Sequence, residues 1–357
     1  MDKRIKVLVF RTDRIGDLIN SSSFLRSIKK YYTNSEIDLV CSQYNSDVAK
    51  NYDFINKVII YNKKQNILSK IIFFLKIIFN YYDICIVIDG KTISKLISLF
   101  IRAKKKYIVS FKKRRRIFGV KFNLHKPPLF LCRLFYKSYI VCDEDYNNKE
   151  ANSEFNNHYL TMYYCLLKKD NISLVRDKHI YSISKDSQFI FNKFLHDNIY
   201  EKFLCIHIDY KWDEYNLDLN KFNSILRNTS VKKNIVITSG IEGSSLFNKL
   251  KNYYTLYTFI NNDYSCNKLY STNIILIENL SVDLLACFLK ESLFSISSHS
   301  GTTVHISAAF NIPIIDFIKK SKANEYDRWI PPNIIYSRAF VDKLENLESA
   351  ISDKIKI

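Results

Sequence analysis

Glycine is nearly absent from this chain, with six in 357 residues. A loop built from several neighbouring glycines is therefore excluded, above all the three-glycine dinucleotide fingerprint. Cysteine pairs are missing too. The eight Cys lie far apart and no CxxC occurs, which argues against zinc and disulfides and fits reduced thiols in a cytoplasm. No leader is read at the amino terminus: Met1-Asp2-Lys3-Arg4 runs into the apolar IKVLVF (Ile5–Phe10) without a cleavage site. No apolar run is long enough to span a bilayer. The most apolar, ILSKIIFFLKIIF (Ile67–Phe79), is interrupted by Lys70 and Lys76 and is expected to form an amphipathic helix buried in the core. The expected location is cytoplasmic, with room for a peripheral contact at the inner membrane face.

Acid is missing from one segment. Gly90–Cys142 spans 53 residues without Asp or Glu and holds 15 Lys or Arg, in a chain whose net charge is +19. The runs Lys104-Lys105-Lys106 and Lys112-Lys113-Arg114-Arg115-Arg116 stand out. The abundance of Lys, Asn, Ile and Tyr suggests an AT-rich coding bias, but such a bias would not remove every acid from one stretch. A local anionic partner, such as phosphorylated glycan or anionic lipid, stands beside the alternative of a solvated loop. Just beyond, Asp143-Glu144-Asp145 resembles a metal-binding DxD. Short acidic triplets are common by chance, and no metal is expected.

What the chain does contain is a globular composition, 47% hydrophobic and 25% charged, with length enough for two domains and no internal repeat. Strand-like runs alternate with helical periods, which predicts parallel sheets flanked by helices. IKVLVF, EIDLVC (Glu36–Cys41), KVIIY (Lys57–Tyr61), DICIVID (Asp83–Asp89) and KKYIVSF (Lys105–Phe111) form the first set, with a helix near Ser21–Tyr31. The polar stretch Asp170–Ser187 reads as a linker. FLCIHI (Phe203–Ile208), NIVITS (Asn234–Ser239), TLYTF (Thr255–Phe259), IILI (Ile274–Ile277), LFSISS (Leu293–Ser298) and IPIIDF (Ile312–Phe317) form the second. The expected domains are residues 1–175 and 188–335, followed by a carboxy-terminal helix in 336–357. Two such halves would face a central cleft, with ligands at the carboxyl ends of the strands.

Chemistry-bearing residues gather at those ends. RTDRIGD (Arg11–Asp17) follows the first strand, and Asp17 there could take a proton from a substrate hydroxyl or serve only as a helix cap. SSHSGTTVH (Ser297–His305) leads into a helix whose amino terminus suits a diphosphate. Ser300, Thr302 and Thr303 add hydroxyls there, while His305 is either a ligand contact or a packed core histidine. Lys211, after FLCIHI, could neutralise a phosphate or be a solvated surface residue. Glu242 in the turn TSGIEGSS could bind ribose hydroxyls or be exposed. Gly16, Gly90, Gly240 and Gly301 each follow a strand, where positive φ or close ligand approach is expected, most of all at Gly16 and Gly301.

These segments resemble glycosyltransferase family 9, the group typified by ADP-heptose:lipopolysaccharide heptosyltransferases. The resemblance runs in order through VLVFRTDRIGD, YYDICIVIDGKTISKLISLFIRAKKKYIVSF, NIVITSGIEG and ENLSVDLLACFLKESLFSISSHSGTTVHISAAFNIP, which covers most of the chain. It implies a GT-B fold, two Rossmann-like domains with acceptor bound by the first and donor by the second. It also implies metal-independent inverting transfer without a cofactor. By the same resemblance Asp17 is the base, Lys211 the phosphate-binding lysine, and Ser300, Gly301, Thr302 and His305 the donor turn. Arg11, Asp13, Arg14 and Gly16 fall in the acceptor half. Two positions depart from the family pattern: His299 stands where the family has Asp, and His305 falls one residue late. A UDP- or GDP-sugar is therefore an alternative to ADP-heptose, and a non-catalytic glycan-binding relative is a further one. A nucleic-acid-binding role would rest on charge alone; no nucleic-acid motif is present, and no such partner is expected.

Overall fold

The computed structural model describes residues 4–355 apart from 118–119, 144–157, 200, 242, 261–262, 269–272 and 333. The chain divides into two units, Met1–His179 and Ile180–Ile357. Residues 172–184 carry neither helix nor strand.

The first unit opens with β1 (Ile5–Arg11), α1 (Ile15–Tyr31), β2 (Ser35–Ser42), α2 (Ser46–Lys50) and β3 (Lys57–Tyr61). It continues with α3 (Ile67–Ile78), β4 (Tyr81–Val87), α4 (Thr92–Phe100), β5 (Arg102–Ile117) and β6 (Val120–Lys126). It ends with α5 (Leu129–Phe135), β7 (Ser138–Asp143) and α6 (His158–Lys168). The sheet order is β3-β2-β1-β4-β5-β6, with β7 also paired to β5. The chain leaves β1 toward one edge and later leaves β4 toward the other, so the order switches between β1 and β4. Right-handed crossovers then put α1 on one face of the sheet and α4 on the other. On the first face Phe24 of α1 packs on Tyr163 and Tyr164 of α6, with ring centroids 5.7 and 5.6 Å apart. On the second, α3 meets α4 through Phe74 and Phe100 at 5.9 Å, and Ile97, Ile101, Cys132 and Tyr136 share one core cluster.

The second unit runs α7 (Lys185–Asn198), β8 (Phe203–His207), α8 (Leu219–Ser230), β9 (Asn234–Thr238), α9 (Ser245–Leu250) and β10 (Thr255–Ile260). Then come β11 (Asp263–Lys268), β12 (Ile274–Glu278), α10 (Val282–Glu291), β13 (Ser295–Ser297) and α11 (Gly301–Ala309). The last elements are β14 (Ile314–Ile318), α12 (Ala323–Tyr326), β15 (Tyr336–Phe340) and α13 (Glu345–Ile355). The order β11-β10-β12-β9-β8-β13-β14-β15 switches between β8 and β13. The expected carboxy-terminal helix therefore begins only at Glu345, because Tyr336–Phe340 first adds an edge strand parallel to β14.

The expected parallel strands make up most of both sheets, with one strand added antiparallel in each, β6 on β5 and β11 on β10. Three other expectations are corrected. The basic segment is not a loop: β5 carries on through Lys112–Arg116 to Ile117, paired with Val120–Lys126 as a hairpin. The helix after β1 starts at Ile15, earlier than either an Asp17 start or the Ser21–Tyr31 segment places it; Gly16, a poor helix former, hides that start. Finally, α3 is not buried. Only Ile77 is fully covered, while Ile67, Leu68, Ile71, Ile72, Leu75 and Phe79 are exposed.

Positive φ, one of the two reasons expected for the strand-end glycines, is not found at Gly16, Gly90, Gly240 or Gly301. Among described glycines only Gly243 has positive φ. The other left-handed positions are held by Asn171, Asn216, Asn279, Asn311 and His299. Asparagine tolerates that conformation better than other side chains because its short amide bonds locally, and this chain is rich in it.

Candidate functional site

Each unit gathers polar groups at its own switch point, where open α/β sheets bind ligands. In the first unit, β1 ends at Arg11, which is 2% exposed. Its guanidinium donates Nε and Nη2 to the Asp17 carbonyl at 3.0 and 2.8 Å, and Nη1 to the Ile88 carbonyl at 2.8 Å. Tyr163 lies under it, 5.4 Å from ring centroid to guanidinium. Arg11 was expected to meet an acceptor. In the structure it is a strut tying the first turn of α1 to the end of β4, with Nε, Nη1 and Nη2 each donating to a carbonyl.

Beside it, Asp89 is fully buried. It accepts from Thr12 N at 2.9 Å, Thr12 Oγ1 at 2.7 Å and Ser94 Oγ at 2.7 Å. Asn45 Nδ2 donates to the Arg11 carbonyl at 2.9 Å. This scaffold fixes the loop Thr12–Arg14 over the sheet. Two carboxylates sit in it. Asp17 is the third helical residue rather than the cap. Its Oδ2 accepts the Arg14 N–H in a long bond of 3.4 Å, and its side chain remains 19% exposed. Asp13 lies with Oδ1 3.3 Å from Arg11 Nε, without hydrogen-bond alignment. Burial pushes the Asp13 carboxyl from the ordinary 3.8 up to about 8; Arg11 opposes this, and Asp17 and Asp89 add to it. Arg14 is exposed and Gly16 buried.

Asp13 carries a pH prediction. Its folded carboxyl holds a proton that the unfolded chain has released, so this group lowers stability as pH rises from about 4 to about 8 and has no further effect above that. Asp13→Asn is expected to flatten that slope, gaining melting temperature over wild type at pH ~8.5 but not at pH ~4. Parallel melting curves at the two pH values would refute this.

In the second unit, the turn after β8 and the turn after β13 meet. Asp209 Oδ1 accepts from Ser298 Oγ at 2.6 Å and from Lys211 N at 3.1 Å. Lys211 Nζ donates to the His299 carbonyl at 2.8 Å, which holds its ammonium beside the residues that open α11. Trp212, 1% exposed, anchors this turn from below by donating Nε1 to the His207 carbonyl at 3.0 Å. Ser300 is the residue before α11 and Gly301 its first; both are half-buried, as is Thr302. Thr303 and His305 turn inward, 0% and 1% exposed, because they lie on the core side of α11. His305 is thus a packed histidine. Glu242 lies outside the described residues.

His299 has φ +54°. Its Nδ1 pairs with Asp316 Oδ2, a fully buried carboxylate on β14 that also accepts from Tyr336 Oη at 2.5 Å. The ring stacks on Tyr326 at 3.9 Å and 12°. Sequence reasoning noted His299 only as a departure and Asp13 only as part of the acceptor half, and it missed Asp316, Tyr326, Tyr336 and Asp89. The signal was present for two of them: IPIIDF sets a single acid inside an otherwise apolar strand, and the apolar run of DICIVID ends on Asp89.

Two α/β units, each with a ligand-type switch point, define a GT-B architecture. The comparisons agree. A glycosyltransferase family 9 structure from Veillonella parvula superimposes with TM-score 0.70 at 15% identity, covering 99% of this chain and 92% of that one. E. coli heptosyltransferase WaaC, solved with ADP, gives 0.67 at 14% identity, covering 99% of both chains. In sequence, a Haemophilus influenzae protein named "Putative glycosyltransferase" is 24% identical over 335 residues, 92% of this chain and 86% of its own length. No protein-family model matches the chain.

Proposed function

We propose that this chain is an inverting, metal-independent glycosyltransferase. It moves a heptose or related sugar from a nucleoside-diphosphate donor to a lipid-linked surface glycan such as lipopolysaccharide. The observation that carries the reading is the position of Lys211: its ammonium is fixed at the start of α11, where helix N–H groups and positive charge favour a departing diphosphate. The fold shared with WaaC, a protein solved with ADP, supports an adenine nucleotide; a UDP- or GDP-sugar is the alternative. Ser300, Gly301 and Thr302 complete the donor turn. Asp17, part-exposed on the first turn of α1, removes the acceptor hydroxyl proton in a single displacement, and Asp13, Arg14 and Gly16 shape the acceptor side. The cations Lys112–Arg116 on the β5–β6 hairpin meet phosphorylated glycan or anionic headgroups.

A thermal-shift series with ADP, UDP and GDP tests the donor reading: a rise with one of them is expected, and none with all three would sink it. Gly301→Ala sharpens the test. A Cβ there meets nothing within 4 Å beyond its chain neighbours and its own helix turn. Alanine is also the better helix former, so the variant should melt no lower than wild type. Its diphosphate affinity should nonetheless fall, because the methyl stands where the ligand approaches the backbone. Equal affinity by calorimetry would remove Gly301 from the site.

A further inference from the structure

Much of the exposed apolar surface of the first unit lies in one layer. α3, α4 and α5 share one face of the sheet, and their outer sides carry Leu68, Ile72, Phe79, Phe100, Phe130 and Leu134, all exposed. Phe79 is 71% and Leu134 72% exposed. Monomeric proteins seldom leave large apolar patches exposed without a use. The chain segments that build it carry almost no acid. Residues 54–82 and 90–142 contain no Asp or Glu. Of the two acids between them, Asp89 is fully buried and Asp83 accepts the Lys6 N–H at 3.0 Å. Lys76 on α3, Arg133 on α5, and Arg102 and Lys104 at the start of β5 are exposed beside the apolar residues.

We infer that this layer is a bilayer-seating surface for an anionic membrane. Apolar side chains between cations, with carboxylates excluded, match a surface that is anionic at the headgroups and apolar just beneath. A protein partner covering only the apolar patch would leave the absence of acid unexplained. Among the described residues no helix is long and apolar enough to cross a membrane, so α3 would lie in the interface plane. The inference deepens the membrane contact proposed for the hairpin cations by naming the element that enters the lipid. It uses no step of the transfer chemistry.

The test is sedimentation of the full chain with vesicles of phosphatidylcholine alone or mixed equally with phosphatidylglycerol. Wild type should bind the mixed vesicles and keep part of that binding in 1 M salt, where the Debye length is about 3 Å and exposed charge is screened. The combined substitution Leu68→Ser, Ile72→Ser and Phe79→Ser leaves the members of the buried core cluster unchanged and should lower partitioning about tenfold or more at every salt concentration. Arg133→Ser should cost about fivefold, and only at low salt. Asp17→Asn should bind vesicles as wild type does, which separates this inference from the catalytic one. Wild-type protein that stays in the supernatant, or a triple variant that sediments normally, would overturn it. So would a dimer seen by light scattering and abolished by the triple substitution, which would give the face to a second copy.

Discussion

Asp17→Asn is expected to lower turnover by about 10²–10⁴-fold, the usual loss when a general base is removed. The fold should survive. Asparagine can still accept the Arg14 N–H, and Arg11 grips the Asp17 main-chain carbonyl, which the substitution leaves in place. Donor affinity should also survive, since the donor turn lies in the other unit. Asp13 is the informative control. Its carboxyl, pushed up to about 8 by burial, would be a competent base only near and above that pH. If Asp13 were the base, kcat/KM would climb with pH to about 8, and Asp13→Asn would carry the large loss. With Asp17 as the base, that loss falls on Asp17→Asn, and Asp13→Asn changes the pH slope of stability more than the rate. An Asp17→Asn enzyme whose activity simply follows its folded fraction would return Asp17 to a helix-terminal role alone.

How much of this was legible before the structure follows from which signals are local. The strands were legible because IKVLVF and FLCIHI are continuous apolar runs buried on both faces, and buried parallel strands read that way. Their carboxyl ends pointed to both sites for the same reason. The β5–β6 hairpin was not legible, because its strand through Lys112–Arg116 has no apolar alternation and is held by pairing with β6. The exposure of α3 was not legible either. Periodicity says that a helix is apolar, but whether another layer covers it is a tertiary fact. Arg11 was misread because its position after a strand resembles that of a ligand-binding residue, while its partners, the Ile88 and Asp17 carbonyls, come from separate elements. The pair His299–Asp316 spans two strands' ends for the same reason, and only the lone acid in IPIIDF hinted at it.

Lys211→Ala is expected to weaken nucleoside-diphosphate binding about 10- to 100-fold, equivalent to the ~1.5–3 kcal/mol of a hydrogen bond to a charged group. The substitution exposes one half-buried carbonyl, that of His299, which water can satisfy, so stability should change little. Binding of the bare nucleoside should be unaffected, because the ammonium acts on phosphate charge. His299→Asn is the matching control. Asparagine already fills the left-handed positions at Asn171, Asn216, Asn279 and Asn311, so it should keep the turn and the carbonyl that anchors Lys211. It removes the imidazole from between Asp316 and Tyr326. Calorimetry with diphosphate and nucleoside on both variants separates the two contributions. Diphosphate affinity near wild type in His299→Asn and lost in Lys211→Ala assigns the site to the ammonium. Equal loss in both would move the phosphate contact to the His299 ring, and no loss in either would take the donor away from this turn.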